Sequence, residues 1–202
     1  MLSPVPAVMA SLGEGDEANI ITIAWTGIIN SRPPMTYISV RKERHSHDIL
    51  MKTGEFVINL TTEAILRQTD WCGVRSGRDF DKWKETGLTK EPASVVKCPM
   101  IAESPVNLEC RVTEVKELGS HDMFMAEIVK VHVDDSIIDE DGHFDVVRAG
   151  LLAYIHGHYY TVNRKPLGRF GFSVMKPKTK KRLQKEAHEK RVEANRKKRM
   201  GK

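Results

Sequence analysis

A cluster of cations and hydroxyls follows a β-like run early in the chain. Ser39 and Arg41 lie two residues apart on the predicted strand, so both side chains point to one face. Arg44, His45 and Ser46 follow where a helix is predicted to begin, and a helix N-terminus offers unpaired N–H groups and positive potential. Arginine supplies a planar fork matched to phosphate oxygens, and serine adds a donor. The spacing indicates a site for a dianionic phosphomonoester, although such a charged run is also typical of a solvated surface turn.

A second group of residues suits a flat ring beside that site. Thr22, Ala24 and Thr26 share one face of the preceding predicted strand, where small side chains let backbone N–H and C=O groups approach ring heteroatoms. Gly27 permits a tight turn next to them. Trp25 lies on the opposite face, where it suits the core as well as a stacking partner. The two groups together predict a pocket for a flat ring with a phosphate tail; an ordinary edge strand is the alternative.

Predicted strands dominate the elements that must position these residues. Runs rich in Val, Ile and Phe predict strands over Ile20–Thr26, Met35–Arg41, Phe56–Leu60, Val106–Val115, Met123–Val133 and Leu151–Val162. Strands outnumber helices and do not alternate with them, so the pattern predicts a mainly β, antiparallel barrel with short peripheral helices. No Gly-x-Gly-x-x-Gly motif follows a strand, which argues against a dinucleotide-binding Rossmann domain.

Three short helices are predicted between the strands. Each has a polar residue that could cap its N-terminus, and two are followed by a glycine that could end them. The expected caps and spans are Ser46 for the helix that runs through Thr53 to a stop at Gly54, Thr62 for Glu63–Cys72, and Asp79 for Phe80–Thr86 with a stop at Gly87. These helices are expected to lie outside the barrel.

The charge of the chain is divided unevenly between a body and a tail. Residues 176–202 contain 13 Lys/Arg and three acids, whereas residues 1–175 contain 19 Lys/Arg and 24 acids. The basic character therefore belongs to the tail and says little about the ligand of the fold. We predict a domain over residues 1–175 and a basic tail, helical or disordered, over residues 176–202.

The cysteines and the hydropathy of the chain bear on its compartment. Cys72, Cys98 and Cys110 are widely spaced and show no metal-ligand spacing, so we expect buried thiols, no metal site and no disulfide framework. An odd number of thiols fits a reducing cytoplasm. No leader segment is evident, and no apolar run approaches the roughly 20 residues of a spanning helix. A cytoplasmic protein without a membrane partner is expected.

Short motifs follow one another in a specific order along the body. They are Pro4-Val5-Pro6, Asn19 to Gly27, Pro33-Pro34, Ser39-Val40-Arg41, Arg44-His45-Ser46, Thr53 to Leu60, Cys72 to Trp83, Val106 to Cys110, Leu118 to Phe124 and Leu167 to Ser173. In this order they resemble the flavin reductase-like FMN-binding split-barrel family, in particular its flavoredoxin branch. The resemblance implies an antiparallel split β-barrel that forms a homodimer and binds FMN without a covalent bond.

The resemblance also implies roles for individual residues. The expected ring contacts are Asn19, Thr22, Ala24, Trp25, Thr26 and Gly27. The expected contacts of the ribityl phosphate are Ser39, Val40, Arg41, Arg44 and Ser46, with His45 in the same bend and Asn59 as a weaker candidate. His121 resembles a histidine near the flavin face, where a nicotinamide would stack; a histidine that caps a turn is the alternative. His156 and His158 could line the same opening.

Three functions remain open at this point. The first is an NAD(P)H-dependent FMN reductase, in which a transiently bound nicotinamide would explain the missing dinucleotide motif. The second is a flavoredoxin-like electron carrier that keeps its FMN and exchanges electrons with a protein redox partner. The third, a nucleic-acid-binding module that uses the tail, is least favoured because the tail has no aromatic residue for base stacking.

Overall fold

Antiparallel β-sheet makes up most of the fold. The computed structural model describes residues 2–162, 165–185, 189 and 192. The chain divides into two units, residues 1–164 and residues 165–202. The first unit carries all the strands described here, and the second has a helical stretch over residues 177–185. The sequence-based boundary after residue 175 stays a prediction, and part of the predicted tail lies outside the described residues.

The elements of the first unit are numbered in chain order. The strands are β1 (Val5–Pro6), β2 (Val8–Leu12), β3 (Asn19–Ile23), β4 (Thr26–Ser31), β5 (Pro34–Arg41), β6 (Glu55–Leu60), β7 (Lys90–Glu91), β8 (Met100–Ile101), β9 (Val106–Glu117), β10 (His121–Val133), β11 (Leu152–Ile155) and β12 (His158–Thr161). The α-helices are α1 (His45–Thr53), α2 (Leu66–Val74) and α3 (Lys82–Thr86). Short 3₁₀ turns lie at Gly15–Glu17, Glu63–Ile65 and Asp135–Ile137, and another lies at Phe172–Val174 in the second unit.

A seven-stranded sheet in the order β3-β2-β6-β9-β10-β5-β4 forms the barrel, and each neighbouring pair is antiparallel. The N–H of Ser39 donates to the carbonyl of Trp25 at 2.9 Å. This bond ties the bend after β3 to β5, so the two ends of the sheet approach each other. The mainly β, antiparallel split barrel predicted from the sequence is confirmed.

Strand β2 is the centre of the hydrophobic core because it is buried on both faces. Val8, Ala10 and Leu12 pack into a cluster inside the barrel with residues of β3, β5, β6, β9, β10 and α1. Met9, on the opposite face, packs against Ile20 and the side chains of α2 and α3. Packing on both faces of β2 therefore fixes the barrel wall beside β3. Strand β3 carries the first of the candidate residues.

Two predicted strands are divided in the structure. Ile20–Thr26 breaks into β3 and β4 at a bend over Ala24 and Trp25. The predicted strand Leu151–Val162 is the β11–β12 hairpin, which turns at His156 and Gly157, both with positive φ. The other predicted strands lie within one or two residues of β5, β6, β9 and β10.

The predicted helix stops are correct, but the predicted caps are not. Gly54 and Gly87 adopt the left-handed conformation that ends α1 and α3. Ser46, by contrast, lies inside α1, and its buried hydroxyl accepts a hydrogen bond from the Asn19 amide. The side chain of Asp81, rather than Asp79, caps α3 through the N–H groups of Trp83 and Lys84. Thr62 does lie at the N-cap position of the 3₁₀ turn Glu63–Ile65, but its side chain makes no capping hydrogen bond.

Burial and hydropathy complete the description. Cys72, Cys98 and Cys110 are free and buried, as expected. Burial raises the pKa of Cys72 to about 11 and that of Cys98 to about 12, so neither thiol ionises readily. None of the helices in the described part of the chain has the length and hydropathy of a membrane-spanning segment.

Candidate ligand-binding site

A cavity of about 470 Å³ opens beside the end of β3. Its walls come from the bend after β3, the end of β5, helix α2, the start of β10 and the β11–β12 hairpin. The lining residues are Ala7, Ile21, Thr22, Ile23, Ala24, Trp25, Ser39, Val40, Arg41, Arg44, Asp70, Gly73, Val74, His121, Tyr154 and Tyr159. A volume of this size falls within the range of small-molecule and cofactor sites.

The cavity brings together eight of the residues selected from the sequence. They are Thr22, Ala24, Trp25, Ser39, Val40, Arg41, Arg44 and His121. The bend at Ala24 and Trp25 turns the end of β3 across β5, which places the small side chains of one strand next to the cations of the other. The expected neighbourhood of a ring region and a cationic region is therefore present in the structure.

A small recess adjoins the cavity, because Arg44 and Ile21 line both. The recess also contains three residues expected from the sequence, Asn19, His45 and Ser46. Its remaining lining residues are Cys72, Arg75, Ser76, Gly77 and Lys82. Cationic and hydroxyl groups thus converge from α1, from the segment after α2 and from α3, and none of the lining residues is acidic. Such a donor set suits an anion.

Close packing fixes the geometry of the recess. The Asn19 amide donates to the Ser46 hydroxyl at 2.9 Å, which holds the first turn of α1 against β3. A Cβ on Gly77 would lie 2.4 Å from the Asn19 side-chain oxygen, so only glycine lets this backbone approach so closely. The segment after α2 therefore lies directly against the recess.

Lys82 is the most unusual cation of the recess because it is only 3% exposed. Its Nζ donates to the carbonyl of Cys72 at 2.7 Å. Burial, with a contribution from the charge of Arg44, lowers the pKa of Lys82 to about 8. An ammonium group held in this way gains from a bound anion, which would offset part of the cost of its burial.

Three residues selected from the sequence lie away from the cavity. Thr26 and Gly27 belong to β4, where the Thr26 hydroxyl donates to the carbonyl of Tyr37 and the Gly27 carbonyl accepts from Thr36. Asn59 is fully buried, and its amide bonds the backbone of Met9, Val57 and Ile101. These contacts account for Asn59 as a link within the core, so the structure does not bring it to the ligand-binding site.

The β11–β12 hairpin and α2 contribute a wall that the sequence did not reveal. Tyr159 donates to the Asp70 carboxylate at 3.1 Å, and its ring meets that of Tyr154 edge to face. Burial and this hydrogen bond raise the pKa of Tyr159 to about 12. His156 and His158, which we expected at this opening, lie instead at the exposed turn of the hairpin. Tyr154 precedes the turn and Tyr159 follows it, and the two residues lie opposite each other in the β11–β12 pair. The aromatic spacing of Leu151–Val162 was the signal available in the sequence.

His121 and Trp25 face each other at the mouth of the cavity. Their rings are nearly parallel, with 6.4 Å between the centroids. His121 Nδ1 lies 2.9 Å from the hydroxyl of Ser120. The pair offers an aromatic surface next to the opening, where a second molecule could approach a bound ring.

The carboxylate of Asp122, on β10, contacts the cationic bend, which is the segment of residues 41–46 that leads from β5 into α1. Asp122 lies 2.8 Å from His47 Nε2 and 3.4 Å from Lys42 Nζ. Burial opposes ionisation of Asp122, but the His47 hydrogen bond and the Lys42 charge outweigh it and lower the pKa of this carboxyl. Lys42 precedes α1 and His47 lies in its first turn, so Asp122 fixes the bend that carries Arg44.

Outside the cavity, one group of side chains has the spacing of metal ligands among the described residues. Asp139, Asp141 and His143 bring ligand atoms within 4.8 Å of one another at the surface. Asp139 accepts hydrogen bonds from the backbone N–H groups of the other two residues, which accounts for the loop geometry. The group lies on an exposed loop closed by the isolated bridge between Ile138 and Phe144, and none of its three residues lines the cavity.

Comparisons with known proteins agree with this geometry. The model of the flavin reductase like domain matches residues 2–163. An uncharacterized protein of Pyrococcus abyssi is 31% identical over 129 residues, which are 64% of this chain and 74% of the relative. The structure is similar to a flavoredoxin of Desulfovibrio vulgaris (Miyazaki F), with a TM-score of 0.79, 29% identity and coverage of 86% of this chain and 94% of that one. It is also similar to a flavoredoxin from Methanosarcina acetivorans, with a TM-score of 0.77, 26% identity and coverage of 87% and 95%.

Proposed function

The chain belongs to the flavin reductase-like family, and from this premise we propose that it is a flavoprotein oxidoreductase that binds FMN without a covalent bond. The observation that carries the proposal is the continuity of the cavity with a cationic recess through Arg44. A flat ring needs an open cleft lined by small and aromatic side chains, and a phosphate needs cations and hydroxyls at one end of that cleft. The cavity provides such a cleft, and the adjoining recess provides the cations and hydroxyls at one end of it.

The residues present fit this cofactor. Thr22, Ala24 and Trp25 would lie along the ring, and Arg44, Ser46 and Lys82 would hold the phosphate. The recess itself measures about 10 Å³, which is room for about one water, so it suits a phosphate at its mouth better than one inside it. Asn19 supports this region through Ser46.

The chemistry would come from the cofactor, and the protein would position it. When bound, FMN supplies two-electron exchange at N5, with negative charge developing near N1 and O2. The bend at Ala24 and Trp25 would orient the ring, and the Tyr154–Tyr159 wall would exclude water from one side. His121 stands at the mouth, where it could orient an incoming donor. No side chain needs to act as an acid for hydride transfer itself.

We propose NAD(P)H as the electron donor, which makes the protein an NAD(P)H:FMN reductase. The alternative is a flavoredoxin-like carrier that keeps its FMN and takes electrons from a redox protein; the similarity to two flavoredoxins favours it. Either donor would approach the bound ring beside His121 and Trp25, which line the cavity.

One experiment separates the two functions. The purified protein is loaded with FMN and mixed anaerobically with NADH, with NADPH, or with a chemically reduced ferredoxin. Rapid bleaching of the visible flavin band by a nicotinamide supports the reductase, and bleaching by ferredoxin alone supports the carrier. A protein that stays colourless after soaking with FMN refutes both. The Arg44→Gln variant, treated in parallel, controls for reduction of free FMN.

We predict that the preference for FMN over riboflavin falls as the pH rises through about 8, where Lys82 loses its proton. The FMN phosphate remains a dianion in this range, since its second pKa is near 6. Loss of one charged contact should reduce the affinity ratio about tenfold. Fluorescence titration with both ligands measures the ratio. In Lys82→Met the ratio should not change over the same pH range; an equal pH dependence in this variant would exclude Lys82 as the titrating group.

We propose a homodimer in which β4 contributes to the contact. This strand is the last of the seven-stranded sheet, and it exposes Ile28 and Ile29, the former to 83%. Unpaired edge strands with apolar side chains favour association. We predict that Ile28→Asp converts the protein to a monomer in light scattering after size-exclusion chromatography. Val131 is an exposed apolar residue on β10, and Val131→Asp should leave the mass of the dimer unchanged. A wild-type monomer would refute the proposal.

We further propose a cytoplasmic location and, for the carrier alternative, a protein redox partner. Three buried free thiols suit a reducing compartment. Fractionation of cells that produce the protein, with an antibody against it, tests the location. Recovery in an oxidising compartment would contradict it.

A further inference from the structure

The start of the second unit has an unusual charge. Residues 165–185 contain eight Lys/Arg and no Asp or Glu. The cations are Lys165, Arg169, Lys176, Lys178, Lys180, Lys181, Arg182 and Lys185. The second half of this segment is helical over residues 177–185, and Pro177 is the first helical residue, a position that suits proline. We call residues 165–185 the basic segment.

The basic segment also exposes large apolar side chains just before its helix. Leu167 and Phe170 are fully exposed, and Phe172 and Val174 are exposed to 65% and 84%. A turn at Gly171, which has positive φ, and a 3₁₀ turn over Phe172–Val174 present these side chains within eight residues. Contiguous exposed apolar groups of this kind mark an interaction surface.

We propose that the basic segment docks the protein on the anionic surface of a phospholipid bilayer. A bilayer is the partner that offers a layer of negative charge directly above an apolar phase. The helical cations would lie among the headgroups, and Leu167, Phe170 and Phe172 would insert at the boundary with the acyl chains. Stable peripheral binding requires two signals together, here a basic surface and inserted apolar side chains, and the basic segment carries both. This proposal departs from the sequence-based expectation of no membrane partner, which rested on the lack of an evident leader or spanning segment.

Two other occupants are less well matched to these side chains. A nucleic acid would satisfy the cations, and its bases could stack on Phe170 and Phe172, but it offers no apolar phase for Leu167 and Val174. A second copy of the chain exposes apolar side chains on β4, but residues 1–175 hold 24 acids against 19 Lys/Arg, a small negative excess for the eight cations of the basic segment. Each of these occupants is an outcome of the test below.

The test is co-sedimentation of the full-length protein with vesicles of phosphatidylcholine, with or without phosphatidylglycerol. We expect binding to the mixed vesicles, weakened by salt, and no binding to phosphatidylcholine alone. Replacement of Lys178, Lys180, Lys181 and Lys185 by Gln should lower the partition coefficient by at least about 100-fold. The double variant Leu167→Ser/Phe170→Ser should lower it by about tenfold or more.

Matched variants and two competing probes complete the experiment. Phe144→Ser removes an aromatic side chain that is also exposed, but in the first unit, and should leave vesicle binding unchanged. Equal binding by wild type and both segment variants would overturn the proposal. Binding of polyuridylate without binding of mixed vesicles would also overturn it. The same holds if the wild-type protein is a dimer and the Leu167→Ser/Phe170→Ser variant is a monomer. FMN content is expected to be the same in all variants, so the outcome is independent of the proposed cofactor.

Discussion

Arg44→Gln should lower the affinity for FMN by about 10- to 100-fold and leave the affinity for riboflavin almost unchanged. The expected loss is large because Arg44 lines both the ring cavity and the cationic recess. FMN and riboflavin share the same ring and ribityl chain, and they differ in the phosphate. A residue that holds the phosphate must therefore affect one ligand and spare the other.

A charge-assisted hydrogen bond to an ion contributes about 1.5–3 kcal/mol, which sets the range of the prediction. Glutamine keeps much of the length and polarity of arginine while it removes the charge and the planar fork. Arg41→Gln should have a smaller effect, because Arg41 is half-exposed and already lies 3.2 Å from the Glu43 carboxylate. Arg44→Gln is therefore expected to weaken FMN binding more than Arg41→Gln does.

Quenching of flavin fluorescence on titration gives both affinities for each variant. Arg111→Gln serves as the matched control, since it removes the same charge elsewhere in the protein. Arg111 pairs with Glu55, which lies opposite it on β6, and neither residue lines the cavity. If Arg44→Gln weakens riboflavin as strongly as FMN, the recess does not hold the phosphate. If neither affinity changes, Arg44 makes no contact with the ligand.

The cationic bend could be recognised from the sequence because its residues are close together along the chain. Ser39, Arg41 and Arg44 lie within six residues, so strand alternation and a helix start suffice to bring them to one place. The contribution of Lys82 could not be found in this way. It reaches the recess because the segment after α2 packs against Asn19 at Gly77, a tertiary contact that leaves no periodic signal.

Strand β2 shows why the centre of the barrel was missed. Val8–Leu12 is buried at every position, so it lacks the alternation of apolar and polar residues by which half-buried strands are recognised. The strand at Ile20–Thr26 was correctly expected to be extended, but its break at Ala24 and Trp25 depends on a hydrogen bond to Ser39 from another strand. An unbroken strand places Thr26 on the same face as Thr22 and Ala24, whereas the break puts Thr26 and Gly27 in β4, away from the cavity.

The tyrosine wall was missed for a related reason. A single strand over Leu151–Val162 would place His156 and His158 near its middle, where they could face the opening. The positive φ of His156 and Gly157 turns the chain there instead, so the hairpin carries the histidines to its tip and Tyr154 and Tyr159 to the cavity. A non-glycine residue with positive φ is uncommon, so local preference gave little indication of this turn.

Glu109→Gln should destabilise the protein by about 3–6 kcal/mol, because at least two hydrogen bonds to a buried carboxylate are lost, each worth about 1.5–3 kcal/mol. Glu109 lies on β9 and is fully buried. One carboxylate oxygen accepts from the N–H of Ser94 and meets His132 Nε2 at 2.5 Å. The other accepts from the N–H groups of Val95 and Val96. This carboxylate holds the loop before β8 to the barrel together with Glu55, which accepts from the N–H of Lys97, and Ser11, which donates to the carbonyl of Pro99.

Glutamine cannot reproduce this arrangement although it has the same shape. Its side chain offers one acceptor oxygen and one donor NH₂ group, so the donor must face either Ser94 and His132 or the two valine N–H groups. In one orientation the N–H groups of Val95 and Val96 lose their acceptor, and in the other the N–H of Ser94 and the His132 ring lose theirs. Glu103→Gln is the matched control: Glu103 also accepts a backbone N–H, from Thr89, but at an exposed site, and it should cost less than about 1 kcal/mol.

The pH dependence gives the same prediction an independent readout. Burial opposes the charge of Glu109, but the His132 hydrogen bond and the three backbone N–H groups outweigh it and lower the pKa of this carboxyl below its ordinary value of 4.5. The unfolded chain therefore binds a proton at a higher pH than the native protein does. The stability that Glu109 contributes is complete above pH 4.5 and is lost as the pH falls through the lowered pKa.

Urea denaturation at neutral pH and at several acidic pH values measures both effects. Wild type should lose stability more steeply than Glu109→Gln below pH 4.5, so the difference between the two proteins should narrow in acid. A constant difference at all pH values would mean that the variant disturbs packing and not the carboxylate. A difference as small as that of Glu103→Gln would mean that the loop is held by its apolar contacts, in which Val96 and Cys98 pack against Val57.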